Sequence, residues 1–219
     1  MQQATAMFVG DNFAANPASF TTNIPAATNL VIVGTALESR IGGRCPTAVT
    51  IGGAAATKIV DKDSDPANDF HSCASLWYRY NPVTGAAVPI AVTWGATPVE
   101  GQLFVLAVSG ANTGYTPTPA QGFSGVTDPA GKQMRGDMTG STTVANSWCV
   151  ASNSVSNPGT ISNCTGFADQ TPLQQSTTTS QTGAFTRRTI AASGTVSMCV
   201  TQSNINRWAM AQACFAPAP

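Results

Sequence analysis

The sequence predicts an all-β chain of antiparallel strands stacked as a β-sandwich or jelly roll, with long loops rich in Gly/Pro and Ser/Thr. Three observations carry that expectation. Apolar residues recur with period two in many short runs, the spacing of a strand with one face turned to a core. Gly and Pro punctuate those runs, as turns between strands require. No stretch shows the three-to-four-residue apolar spacing of a long amphipathic helix.

Taken in order, residues 1–18 are rich in Ala, Asn and Gln with weak periodicity, and are expected to form an N-terminal arm that orders only against the body or a neighbour. A single β-sandwich domain is expected over 19–219. Ser19 to Ile24 reads as a short strand. Asn29 to Glu38 is apolar on both faces at its start, with Leu30, Ile32 and Gly34 on one side and Val31, Val33 and Thr35 on the other, which predicts a central strand. Thr47 to Ile51, Gly52-Gly53 and Ala54 to Val60 predict a hairpin, because Gly-Gly supplies the positive φ of a tight turn. Asp61 to Asp69 reads as a polar loop.

The segment from His71 to Trp94 holds the only histidine, two of the four tryptophans and two of the three tyrosines. Ala74, Leu76, Tyr78 and Tyr80 alternate with Cys73, Ser75, Trp77 and Arg79; after Asn81–Gly85, Val88, Ile90, Val92 and Trp94 alternate again. The two runs are expected to pair as antiparallel strands, with Trp77 and Trp94 as core packing. Gln102 to Val108 predicts another strand. Gly110 to Gly140 reads as a surface excursion with at most short strands, Thr142 to Ala151 as a strand, and Ser152 to Thr182 as a second long loop region. Phe185 to Ile190, Val196 to Thr201 and Arg207 to Phe215 complete the expected sheets. Neither an internal repeat nor a second domain is evident in the sequence.

Composition narrows the function. Only 9% of residues are charged, against about a quarter in an average domain, and the net charge is zero. The ten basic residues are scattered, and only Arg187-Arg188 adjoin. Nucleic-acid binding needs a basic field, so that class is not expected. Weak self-repulsion suits a protein held in an assembly. The longest apolar run, Leu30 to Leu37, is too short to span a bilayer, so no membrane partner is expected. The first basic residue is Arg40, so no signal peptide is expected either.

Six cysteines, Cys45, Cys73, Cys149, Cys164, Cys199 and Cys214, are disulfide candidates, within or between chains. None forms a C-x-x-C pair, which argues against zinc. Buried free thiols are the alternative; disulfides would mean an oxidising final location. Asp61, Asp63, Asp65 and Asp69 form the sharpest polar cluster and are candidate ligands for a calcium ion in an irregular loop. An EF-hand is excluded, because Pro66 replaces the required glycine and Ser72 stands where the bidentate glutamate belongs. The alternative is a solvated acidic turn. No other cofactor is expected. The sequon-like Asn163-Cys164-Thr165 carries no weight without an export signal.

Catalysis lacks its parts. A serine triad would have to use His71, and no G-x-S-x-G elbow is present. His71 is expected at the surface or at a strand end. Glycoside hydrolysis needs a carboxylate pair, and the only glutamates, Glu38 and Glu100, lie far apart in sequence. The expectation is a non-enzyme.

Three stretches carry a resemblance. "TAVTIGGAAATKIV" is a strand, Gly-Gly turn and strand; "SLWYRYNPVTGAAVPIAVTW" is a W-Y-x-x-N-P-x-x-G strand followed by an alternating Val/Ile/Trp strand; "QLFVLAVSGAN" is a strand ending in a Ser-Gly turn. In this order they resemble concanavalin A-like and jelly-roll β-sandwich domains of phage virion proteins and bacterial surface proteins, over roughly residues 19 to 115. The resemblance implies attachment, decoration or carbohydrate contact. It points to a structural protein of a virus particle (capsid decoration, fibre or tail-associated), made in a host cytoplasm, located in the virion, and partnered by other virion proteins and by copies of itself. The alternative is a carbohydrate-binding or adhesive module, with Tyr115, Trp148 and Trp208 as candidate glycan-stacking aromatics.

Overall fold

The computed structural model describes residues 1–10, 15–39, 45–64, 71–125, 133–141, 144–178, 180–202 and 207–219. The described residues are all-β. In the first half of the chain the strands are β1 (Gln2–Gly10), β2 (Ala18–Ile24), β3 (Leu30–Ser39), β4 (Pro46–Ile51), β5 (Ala54–Ala55), β6 (Thr57–Asp63), β7 (His71–Tyr80), β8 (Gly85–Trp94) and β9 (Glu100–Ser109). In the second half they are β10 (Ala120–Gly125), β11 (Gln133–Ser141), β12 (Ser147–Val155), β13 (Ser162–Asn163), β14 (Gln170–Thr177), β15 (Thr182–Ile190), β16 (Thr195–Thr201) and β17 (Trp208–Phe215).

These strands form four antiparallel sheets. Sheet I has the order β2-β8-β4-β5, sheet II β1-β9-β3-β7-β6, sheet III β10-β17-β12-β15-β14, and sheet IV β11-β16-β13. Three apolar clusters lie between them, and each takes alternate residues of the inner strands. Val31, Val33, Trp77, Leu103 and Val105 of sheet II meet Val49, Ile90, Val92 and Trp94 of sheet I. Leu30, Ile32, Leu76, Phe104 and Leu106, on the opposite face of sheet II, meet Trp148, Val150, Phe185, Ala211 and Phe215 of sheet III. Cys149, Ala151, Trp208 and Met210, on the far face of sheet III, meet Met134, Met138, Met198 and Val200 of sheet IV. The layers therefore run I, II, III, IV. The double-sided apolar pattern of β3 has its physical reason here: each face of an inner sheet borders a separate core.

The same wiring occurs twice. Numbering the strands of each half from its own first, and setting aside the two-residue β5, the inner sheet runs first, eighth, third, sixth, fifth in both halves. The outer sheet runs second, seventh, fourth in both. The halves meet face to face, with β3 across β12, β10 against β6 and β14 against β1. Third strand thus meets third, and first meets fifth in both directions, the pattern of an approximate two-fold relation. The sequence itself shows no internal repeat. Strand wiring depends on the alternation of burial rather than on particular side chains, so it can recur without readable sequence similarity.

Other expectations changed. The 71–80 and 85–94 runs do not pair with each other: β7 pairs with β3 and β6 in sheet II, and β8 with β2 and β4 in sheet I. Two alternating runs joined by a short Pro/Gly link look alike whether the link turns within a sheet or crosses to the next. The Gly52-Gly53 turn does form a hairpin, with φ of 62° and 77° and pairing of Ile51 with Ala54. It ends after β5, and the chain then crosses to sheet II as β6. Asp61 to Asp63 continue β6 rather than opening a loop. Residues Gln2–Gly10 pair with β9 as an edge strand. The 110–140 excursion contains β10 and β11, and the 152–182 stretch contains the end of β12, β13 and all of β14. β14 reads Gln-Thr-Pro-Leu-Gln-Gln-Ser-Thr. It lies at a sheet edge, where polar residues and a proline are tolerated.

Candidate functional site

A group of four charged side chains lies where the turn after β13 meets sheet IV. Met134 and Met138 of β11 point into the core, so Arg135 and Asp137 face outward. Asp137 pairs in register with Ser197 of β16, and Arg135 with Cys199. The Arg135 Nε donates to Asp137 Oδ1 at 2.8 Å. The Asp137 carboxyl is held below its ordinary value, first by the Ser197 hydroxyl and then by Arg135.

Phe167 sits beside them, half-buried, with the Arg135 guanidinium 5.7 Å and the Arg188 guanidinium 5.3 Å from its ring centre. Arg188 donates to Asp169 Oδ2 at 2.8 Å and to the Ser197 carbonyl at 2.7 Å. The turn carrying Phe167 is pinned at both ends. The Cys164–Cys199 disulfide fixes its start, and the Phe167 N–H donates to the Cys164 carbonyl. At its end, the buried Gln170 side chain accepts from the Cys199 N–H at 3.2 Å and donates to the Cys199 carbonyl at 3.1 Å. The result is a fixed aromatic ring bordered by two guanidiniums and two carboxylates. Such a set can stack on an apolar ring face while exchanging hydrogen bonds with hydroxyl or amide groups. Sequence reasoning missed it because its residues come from four separate segments; the only local signals were Phe167 within a polar run and the adjacent Arg187-Arg188.

The aromatics expected to stack on glycans are placed differently. Trp148 is 6% exposed in the core between sheets II and III, with the Arg187 guanidinium 4.0 Å from its ring centre. Trp208 is 8% exposed in the core between sheets III and IV. A tryptophan on a strand enclosed on both faces buries its large apolar area, so neither is a groove residue. Tyr115 is half-buried; its hydroxyl donates to the Thr118 carbonyl and its own carbonyl accepts from Tyr80.

Of the acidic cluster, Asp61 and Asp63 lie on β6, while Asp65 and Asp69 lie outside the described residues. Asp61 accepts from Lys58 Nζ at 2.9 Å, and Asp63 lies 3.0 Å from His71 Nδ1. Among the described residues no group of three or more His, Cys, Asp or Glu side chains is placed to hold a metal ion. His71 starts a strand as expected, but it is 1% exposed rather than on the surface, because β7 is enclosed along that end. Asp61 and Asp63 also line an open surface pocket of about 410 Å³ with Cys45, Pro46, Thr47, Lys58 and Lys62.

Glu38 and Glu100 are direct cross-strand partners between β3 and β9, and both are buried. The Glu100 carboxylate accepts from the Thr178 hydroxyl and from the Ser180 N–H, which joins it to the second half of the chain. Neighbouring bonds do the same: Ser152 and Ser154 donate to the carbonyls of Thr35 and Leu37, and the Ser72 and Ser156 hydroxyls meet at 2.7 Å. One end of the interface between sheets II and III is therefore polar and interlocked.

All six cysteines are paired within the chain, as Cys45–Cys73, Cys149–Cys214 and Cys164–Cys199. The first joins sheet I to sheet II, the second links neighbouring strands β12 and β17, and the third pins the Phe167 turn. The sequence matches no protein-family model and no curated protein, and the fold matches no solved structure.

Proposed function

We propose that this chain is a non-enzymatic structural protein of a virus particle, a phage capsid-decoration, fibre or tail-associated protein. It works in the virion through contacts with other virion proteins and with copies of itself. The observation that carries the reading is the doubled wiring. In each half the order first-eighth-third-sixth opposite second-seventh-fourth supports a jelly-roll type of sandwich, with the fifth strand moved to the inner sheet. Two such units packed through an apolar face leave sheets I and IV as the outer layers. On sheet I the exposed positions are Ser19, Thr21, Asn23, Thr47, Ala48, Ala55, Gly85, Ala86, Ala87, Pro89 and Thr93, small and uncharged. Such a face packs against another without desolvating charge. Glu100 supports the non-enzymatic reading, since its buried carboxylate joins the halves through Thr178 and Ser180 rather than lining an opening.

Sedimentation velocity of the purified chain tests this. Self-association that rises with concentration and is abolished by Thr21→Lys with Thr93→Lys is the expected result. A monomer at every concentration up to the millimolar range would defeat it.

A second reading, a carbohydrate-binding or adhesive module, is favoured by the Phe167 patch. A ring bordered by paired arginines and aspartates suits a sugar's apolar face and its vicinal hydroxyls. Glycan-array binding that disappears in Phe167→Ala would move the assignment to this reading.

A further inference from the structure

The three disulfides differ in access. Cys149, Cys214 and Cys199 are fully buried, and Cys164 is 4% exposed. Cys45 is half-buried and lines the 410 Å³ pocket beside Thr47, Lys58 and Lys62. Its partner Cys73 is 1% exposed and lies in the apolar core between sheets I and II. Thiol–disulfide exchange requires a thiolate to reach one sulfur, so access decides which bond opens first. The pocket falls in the size range that admits a small molecule.

We propose that Cys45 is a thiol-exchange site, at which a small external thiol entering this pocket opens the Cys45–Cys73 bond while the other two disulfides stay closed. The thiolate sulfur bonds to Cys45 Sγ, the Cys45–Cys73 bond breaks, and Cys73 leaves as a thiolate that takes a proton from water. With a monothiol the chain then carries a mixed disulfide on Cys45. With a dithiol, the reagent's second thiol displaces Cys45 and the reagent closes as a cyclic disulfide. The dithiol thereby supplies two electrons and two protons, and both cysteines end as thiols.

The direction of attack follows from burial, since only Cys45 borders the pocket. The monothiol step is reversible: as the external thiol is removed, the Cys73 thiolate attacks Cys45 Sγ and expels the bound thiol, which re-forms the Cys45–Cys73 bond. Opening the bond frees the entrance to β4 from β7 but leaves the core between sheets I and II packed. The change is thus local, at the pocket rim.

The test treats the folded 219-residue chain with graded glutathione or dithiothreitol at neutral pH, traps free thiols by alkylation, and maps the six cysteines by peptide mass spectrometry. Cys45 and Cys73 should react at reductant concentrations about tenfold below those that open the other pairs, with glutathione found on Cys45 and the far-UV dichroism unchanged. Concerted opening of all three bonds, earlier opening of either other bond, or glutathione on Cys73 would each overturn the proposal. A Cys45→Ser, Cys73→Ser variant should lose the early-reacting class alone. The wild-type map decides the question even if that variant does not fold.

Discussion

Gly34 of β3 packs against the ring of Phe185 on β15. A Cβ at Gly34 would stand 3.1 Å from two atoms of that ring and 3.2 Å from Ser152 Cβ. The position faces the core between the inner sheets of the two halves, where Phe185 also stacks on Phe104 with 6.1 Å between ring centres. A methyl group there requires the ring to shift by a few tenths of an ångström, and a larger side chain requires the sheets to part. Gly34→Ala should therefore cost about 1 kcal/mol and Gly34→Leu about 3 kcal/mol or more, read from urea or guanidinium midpoints. Equal midpoints for both variants and wild type would mean that the two halves are not packed through this face.

Gln170 is 2% exposed and satisfies both backbone groups of Cys199. Gln170→Ala leaves a buried N–H and a buried carbonyl without that partner, which should cost about 2–4 kcal/mol. Gln170→Glu keeps the shape but replaces the donor facing the Cys199 carbonyl with an acceptor, so it should be no better tolerated. Thermal unfolding of both variants checks this. A wild-type melting temperature in Gln170→Ala would show that the turn is held by the disulfide alone.

The Cys149–Cys214 bond spans 65 residues and links β12 to β17 at a register pair. Replacing both with Ala should lower stability by about 4 kcal/mol, chiefly by freeing the unfolded chain. It also leaves space in the core between sheets III and IV. The comparison to make is chemical denaturation of the double variant beside the wild type, both without reductant.

Tyr80 donates its hydroxyl proton to the Tyr115 carbonyl at 2.7 Å, and its pKa is pushed up to about 12, first by burial and then by Tyr78 and Tyr115. A folded pKa above the unfolded value of 10.0 means that the stabilisation is complete below pH 10. It is lost as the pH rises from there through the folded value. Because the ring is only partly enclosed, the loss should be about 1 kcal/mol after allowance for solvent screening. Absorbance titration of the phenolates, with Tyr80→Phe as reference, should show one late class. Normal titration of all three tyrosines would contradict the placement of this hydroxyl.

Asp137 behaves in the opposite sense. Its carboxyl is held low by Ser197 and Arg135, so its contribution is present above the ordinary carboxylate value of 3.8 and fades as the pH falls through the folded one. Carbon-13 NMR titration should place Asp137 below the ordinary value, and Ser197→Ala should move it upward. An unchanged midpoint in Ser197→Ala would show that the hydroxyl does not hold it.

Much of the fold was legible. Asn29 to Glu38, apolar on both faces at its start, announced a central strand, Gly52-Gly53 announced a tight hairpin, and Trp77 and Trp94 announced core packing. Those signals are local: alternation, turn chemistry and aromatic area act within a few residues. What escaped was non-local. β14 hid in a Gln/Thr/Ser run because an edge strand needs backbone hydrogen bonds more than apolar side chains. β7 and β8 looked like a hairpin because a link between sheets and a turn within one sheet use the same residues.

The sequence by itself determined that this protein is built of strands, that its exterior carries few charges, and that its cysteines were available for pairing, because alternation and composition are properties of the chain alone. Only the tertiary structure decided which cysteines meet, that Trp148 and Trp208 are enclosed, that Glu38 faces Glu100, and that Phe167 gathers Arg135 and Arg188. Each of those depends on which strand lies beside which. That choice follows from how four sheets share three cores rather than from any single stretch of residues.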